Sequence, residues 1–214
     1  MTPDAPDPNG RPRPPFTVVP VTLAGREVRL EPLRLEHAHE LFAAGAGEPE
    51  LWRYLGRPAP ASASELADYV QRALDEQAAG RHLPWLTRRA GDGRAIGTTR
   101  YAHLDPADRS VEIGWTFLVA DARRTAANTE AKLLQLRHAF ETLGALRVWL
   151  QTDERNERSR RAIERLGARA EGVRRRDRIL HDGAVRSSAV YAFIDLEWPA
   201  ARARLEALLR GVVS

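Results

Sequence analysis

The segment from Ser110 to Gln151 constrains this chain more than any other. Ser110–Leu118 alternates as a strand does, Thr129–Leu143 carries Leu133, Leu136, Phe140 and Leu143 at helical spacing before Gly144, and Arg147–Gln151 reads as a strand again. Strand, helix and strand in that order form a right-handed crossover, which sets the two strands parallel in one sheet. Upstream, the strand-like runs Leu83–Thr87, Ala95–Ala102 and Ser110–Leu118 are separated by Gly91-Asp92-Gly93 and by Asp105-Pro106-Ala107-Asp108, which makes an antiparallel meander. The expected architecture is α/β in the α+β manner: a mixed sheet in which a meander is followed by a βαβ crossover.

The flanking segments complete the order. Arg26–Leu30 alternates as a first strand, and His37–Ala46 is helical with Ala38, Leu41 and Phe42 on one face. Ser62 or Ser64 can cap a longer helix bearing Leu66, Tyr69, Val70, Ala73 and Leu74, which Gly80 ends. After the crossover, Asn156 can cap a helix over Glu157–Leu166 that closes at Gly167. Arg169–Ile179 and Val185–Ile194 form a hairpin turned at Asp182-Gly183, and Glu197–Arg210 is a last amphipathic helix. Residues 1–20 hold seven of the 14 prolines, with hardly a large apolar residue before Phe16, and read as a disordered leader. No internal repeat emerges.

Composition narrows the chemistry. The absence of cysteine removes disulfides, zinc-thiolate sites, iron–sulfur clusters and a cysteine nucleophile, and a cytoplasmic location fits it. No apolar run approaches the roughly 20 residues of a membrane helix. Of the 33 basic residues only Lys132 is lysine, against 29 acids. Between Asp153 and Arg178 ten arginines face six acids, so this stretch alone carries the net charge of +4 and suits an anionic partner. The six histidines are scattered without metal-ligand spacing, so no metal is expected, and the five tryptophans lack the basic interleaving of a nucleic-acid platform.

Arg123-Arg124-Thr125-Ala126-Ala127-Asn128-Thr129 is a run of small residues flanked by arginine that opens the crossover helix. A helix start offers unpaired amides and partial positive charge, and small side chains admit a phosphate; equally, Asn128 or Thr129 could merely cap the helix. On the preceding strand, strict alternation puts Val111, Ile113, Trp115 and Phe117 on one face and Glu112, Gly114, Thr116 and Leu118 on the other. Glu112 then faces either solvent or a cleft. Tyr191, on the last strand, is a candidate acid, set against the ordinary packing role of strand tyrosines.

Val111 to Leu118, Arg123 to Lys132 and Asn156-Glu157-Arg158-Ser159 together resemble the GNAT superfamily of acetyl-CoA-dependent N-acetyltransferases, and within it the branch typified by the RimJ and RimL ribosomal-protein N-terminal acetyltransferases. The resemblance covers Val21 to Trp198, implying a domain over 21–198 behind the leader at 1–20, with residues 199–214 as a C-terminal helix packed on the domain or extending it. The family's loop of arginine or glutamine, two spacers, glycine, spacer and glycine or alanine falls on Arg123, Ala126 and Asn128, where both glycines are replaced, and Ala120 stands where a proline is common.

The resemblance implies that acetyl-CoA is the co-substrate. The amides of Arg124, Thr125, Ala126, Ala127, Asn128 and Thr129 would take the pyrophosphate, and the backbone of Phe117 and Leu118 the pantetheine arm. Asn156 would hold the pantetheine, Ser159 would lie near the thioester sulfur, and Glu112 would act as general base. The implied reaction is direct transfer of acetyl to a primary amine, a protein N-terminus or a small molecule, with a homodimer compatible. The rival reading is a nucleic-acid or ribosome-binding module that uses the Arg155–Arg178 cluster, with the acyl site vestigial; the interspersed acids dilute that cluster.

Overall fold

The computed structural model describes Pro6, Gly10 and residues 12–211. The strands are β1 (Leu23–Ala24), β2 (Val28–Pro32), β3 (Leu83–Arg89), β4 (Ala95–Asp105), β5 (Ser110–Leu118), β6 (Arg147–Asp153), β7 (Arg169–Ile179) and β8 (Val185–Ile194). The helices are α1 (His37–Leu41), α2 (Pro49–Trp52), α3 (Ala63–Ala78), α4 (Ala127–Arg137), α5 (Glu157–Leu166) and α6 (Trp198–Leu209). All eight strands join one sheet in the order β1-β2-β3-β4-β5-β6-β8-β7. Every neighbouring pair is antiparallel except β5 with β6, which the α4 crossover makes parallel. The expected α/β fold with a mixed sheet is the observed one.

Local chemistry explains the element ends. Ser62 Oγ accepts from the amide of Glu65 at 3.2 Å and starts α3. Asn156 Oδ1 accepts from the amide of Ser159 at 3.1 Å and starts α5, which ends at Gly167 with φ of 99°. The short α2 escaped the sequence reading, although Pro49 at its first turn is a start signal.

The sheet carries apolar packing on both faces. Val111, Ile113, Leu136, Val148 and Phe193 share one buried cluster with Leu166 of α5 and Leu205 of α6. Leu41, Leu66, Val70, Leu86 and Phe117 form a second cluster with α1 and α3. Glu130, at the start of α4, accepts the amides of Arg26, Glu27 and Val28 at 2.9, 2.7 and 2.8 Å, which docks the β1–β2 turn. The approach is close enough that a Cβ on Gly25 would fall 2.3 Å from the Glu130 carboxyl carbon, so a side chain there would push the carboxylate off the turn.

Within the stretch expected as a leader, residues 12–20 touch the domain. Arg13 pairs with Asp195, Arg109 donates to the Pro14 carbonyl at 3.0 Å, and Phe16 and Val18 pack against the core. Proline density excludes regular structure there, but not docking of Phe16 and Val18, while Val19 stays exposed. Residues 1–5, 7–9 and 11 of the leader, and 212–214 at the other end, lie outside the described residues.

One irregularity matters most for the site. Thr98 pairs with Phe117 and Arg100 with Gly114, so Trp115 and Thr116 together oppose Thr99 in a bulge, with Trp115 at φ of 48°. The bulge reverses the face assignment from Trp115 onward. Thr116 joins the α4 side by bonding Lys132, Phe117 joins the α1–α3 cluster, and Trp115 turns toward His82 and His103 on the side of Glu112. Strict alternation had put Trp115 and Phe117 with Val111, and Thr116 and Leu118 with Glu112; an extra residue in a strand shifts every later side chain by one face.

Candidate active site

The parallel pairing of β5 with β6 runs only from Ser110↔Arg147 to Glu112↔Trp149. Both strands continue, β5 to Leu118 and β6 to Asp153, without pairing to each other. Their separation opens a cavity of about 780 Å³ that is also walled by the start of α4, one face of α5, the α2 region and the β7–β8 hairpin.

The first wall is the turn before α4. Arg124 takes the left-handed conformation, φ 59°, and Ala126 occupies the N-cap without a side-chain cap. The turn is held from behind: Thr125 Oγ1 donates to the Ala122 carbonyl at 2.8 Å and accepts from the Ala127 amide at 3.2 Å. Arg123 Nε donates to the Leu118 carbonyl at 3.0 Å. Amides early in α4 lack intrahelical acceptors, and they sit beside Arg123, Arg124 and Asn128 on the cavity wall. Neither Asn128 nor Thr129 caps the helix; Thr129 Oγ1 instead accepts from Arg165 at 2.7 Å. The left-handed residue falls on Arg124 rather than on Ala126 or Asn128, the two positions that sequence matching assigned to missing glycines.

The α5 wall presents Asn156, Arg158, Ser159, Arg161 and Arg165. Asn156 is both the cap of α5 and a cavity residue, as its two sequence readings allow. The Asp153–Arg178 arginines do not form one stripe. Arg155, Arg161, Arg169 and Arg174 are ion-paired, and Arg158, Arg161, Arg165 and Arg178 line the cavity.

Glu112 is buried at 2% exposure and lines the cavity. Its Oε1 accepts from Gln151 Nε2 at 3.1 Å. Oε2 stands 2.8 Å from His103 Nδ1, an ion-pair separation outside hydrogen-bonding geometry, so this oxygen keeps an unused lone pair. A second bulge, in β4 between Ala102 and Asp105, holds His103 at φ of 47° and turns it to the carboxylate. Regular pairing would have set His103 opposite Val111, which is why the sequence reading passed over it. His103 stacks on Trp115 with centroids 6.0 Å apart and lies 5.6 Å from Trp149. His82 contacts Trp115 at 4.9 Å, and burial together with Arg100 pushes its pKa down to about 4, so its ring is neutral at pH 7.

Lys132 was also missed. Its Nζ donates to Thr99 Oγ1, Thr116 Oγ1 and Gln135 Oε1 at 3.0, 2.9 and 3.1 Å, tying α4 to the bulge, and burial pushes its pKa down to about 7. Its singularity among 32 arginines was the available signal. Tyr191 is not brought to the cavity. Its hydroxyl donates to Glu164 at 2.9 Å and accepts from Arg160 at 3.2 Å, because its place on β8 aims it at α5. Among the described residues no group of three or more His, Asp or Glu is set to hold a metal, and no helix is long and apolar enough to cross a membrane.

Comparison with known proteins agrees with this geometry. Residues 27–169 match the family model described as an acetyltransferase (GNAT) domain. Among solved structures, a GCN5-related N-acetyltransferase from Brucella melitensis is 31% identical, with a TM-score of 0.85 over 92% of this chain and 88% of that one. Mycobacterium smegmatis RimJ, solved in complex with CoA-disulfide, is 24% identical, with a TM-score of 0.75 over 88% and 95%. The microcin C7 self-immunity acetyltransferase MccE, solved with acetyl-CoA and AMP, is 18% identical with a TM-score of 0.71 over 79% and 93%; these last two share the fold. Comparison with curated proteins finds no match. With most of its length, from the first long strand through the crossover, matching that model, the chain belongs to the GNAT family and is an N-acetyltransferase.

Proposed function

We propose that the protein transfers the acetyl group of acetyl-CoA to an α-amine, with both substrates held together in the cavity between β5 and β6. The observation that carries this is the end of parallel pairing at Glu112↔Trp149, which leaves a strand edge, an anion-binding helix start and a buried carboxylate on one cavity.

The residues present fit acetyl-CoA. The α4 turn offers amides, small side chains and the Arg123 and Arg124 cations to a pyrophosphate, with Ala126, Ala127 and Thr129 forming its backbone. Since the Val119 amide bonds Ile96 of β4, alternation directs the polar groups of Leu118, rather than those of Phe117, to the gap where the pantetheine arm would pair. Asn156 and Ser159 meet the same arm from α5. Acetyl-CoA supplies the thioester; the chain orients it and handles the protons.

Glu112 receives the amine proton, directly or through one water, at the oxygen left unbonded by Gln151. His103, half-exposed beside that oxygen, passes the proton to solvent. The Ser159 hydroxyl donates to the leaving thiolate. An α-amine has a pKa of about 7.7–8.0 against about 10.4 for a lysine side chain, so near neutrality it needs only modest help from such a base.

The test is a melting curve with acetyl-CoA followed by a CoA-release assay over N-terminal peptides, polyamines and small amines. A ligand at a hundredfold excess over its Kd adds about 2.7 kcal/mol to stability. Ala126→Asp puts a negative charge at the phosphate position and should abolish that gain. No gain in the wild-type protein would overturn the proposal, and turnover confined to lysine-like amines would overturn the choice of acceptor.

A further inference from the structure

The cavity has a second cationic wall that the binding of acetyl-CoA at the α4 turn and α5 does not use. Arg178 of β7 and Arg186 of β8 are direct cross-strand partners, and both line the cavity. Like charges set opposite each other in a sheet repel, so such a pair is costly unless something anionic comes between them. Arg186 is 6% exposed. Its Nε donates to Ser188 Oγ at 3.0 Å and its Nη1 to the Tyr54 carbonyl at 3.4 Å, so the guanidinium is fixed between the hairpin and the α2 region.

Carboxylates nearby make no direct ion pair with either arginine. Asp153 is held by Arg155 at 2.7 Å, whereas Asp177 lies 3.2 Å from Arg174 with neither of its buried oxygens hydrogen-bonded. Among the described residues neither Arg178 nor Arg186 has a carboxylate within 4.0 Å. Four arginines (Arg155, Arg174, Arg178 and Arg186) therefore meet three carboxylates (Asp153, Asp177 and Glu112), and one positive charge is left over. Burial and Arg178 lower the pKa of Arg186, with Asp153, Asp177 and Glu112 acting in the other direction, so Arg186 lies within electrostatic reach of Glu112. A guanidinium pair matches the two oxygens of a carboxylate or phosphate.

We infer that Arg178 and Arg186 bind an oxyanion, carboxylate or phosphate, carried by the acceptor amine. The inference rests on the acetyl-transfer reading and narrows it: the substrate is an amine with an acidic group near its amino group, oriented by the hairpin while Glu112 meets the nitrogen.

The experiment measures kcat/KM for matched α-amine acceptors: aspartic acid α-amide with asparagine amide, O-phosphoserine amide with serine amide, and the peptide amides Ser-Asp-Phe and Ser-Asn-Phe. The three pairs separate a small carboxylate, a phosphate and an acidic peptide as the source. The expected result is a preference of at least about tenfold, carried by KM, for the anionic member of one pair, collapsing toward unity in Arg178→Gln and Arg186→Gln. Arg178 is only half-buried, so its variant decides the matter if Arg186→Gln fails to fold. Acetyl transfer with no preference in any pair would overturn the inference, as would a preference surviving in Arg178→Gln. A variant that loses acetyl-CoA affinity by calorimetry instead would reassign the pair to the co-substrate. A wild-type protein that binds no acetyl-CoA would overturn the underlying reading together with this one.

Discussion

His103 Nδ1 lies 2.8 Å from Glu112 Oε2, brought there by a bulge in β4 that faces the carboxylate of β5. The two residues are nine positions apart across a turn, and neither alone would suggest a proton path. Together they set a buried carboxylate beside a half-exposed imidazole, the arrangement that the proposed proton path uses.

Glu112→Gln should lower the rate near neutrality by about 10²–10⁴-fold, the usual worth of a general base, and raising the pH should restore part of it by deprotonating the amine in solution. His103→Gln should cost less, since water can replace an imidazole at an exposed position. A pH–rate profile of both variants checks this. Full activity of Glu112→Gln at pH 7, with acetyl-CoA still bound, would remove Glu112 from the chemistry.

Arg124→Gly should separate stability from binding. A left-handed non-glycine residue costs about 1–2 kcal/mol, and glycine returns roughly 0.5–1 kcal/mol as unfolded-chain entropy. The free protein should therefore melt at or slightly above the wild-type temperature, while acetyl-CoA stabilises it less because a cation at the phosphate wall is gone. A lower melting temperature of the free variant would refute the strain argument.

Lys132 gives the protein a pH signature. Its pKa is about 7 in the fold and near 10.5 unfolded, so between those values the unfolded chain binds one more proton than the native one. Stability from this group rises with pH over that window and is at its lowest below pH 7. In Lys132→Met, urea melts from pH 7 to 10 should show a flatter profile. Turnover should also fall, because Thr116 loses the ammonium that steadies the bulge. An unchanged slope would place the lysine's titration elsewhere.

Glu130→Ala should destabilise the domain by about 3 kcal/mol or more, since three amides of the β1–β2 turn lose a charged acceptor at once. Glu130→Gln keeps one oxygen and should cost less. Chemical denaturation of the two variants measures the difference; a loss below about 1 kcal/mol for Glu130→Ala would mean that water satisfies the turn.

Much of this molecule was legible before any coordinates. Asn156 and Gly167 bound α5 as read, and the hairpin at 169–179 and 185–194 turns about Asp182-Gly183 as read. The crossover followed from chain order alone, because a strand, helix and strand can close on one sheet in only one hand. These features depend on neighbours within a few residues, and the sequence states those neighbours directly. Glu112, Asn156, Ser159 and the α4 turn were named from sequence and do line one cavity or its edge. Trp115, His103 and Lys132 could not be assigned in the same way. Each owes its position to a bulge in the β4–β5 pair or to a buried contact with that pair, where one extra residue reverses a face. The same holds for Tyr191, turned to α5 by the register of β8, and for Arg178 opposite Arg186. Local spacing determined which elements exist and where they end, whereas register between strands, which no single segment encodes, decided which side chains meet across the cavity.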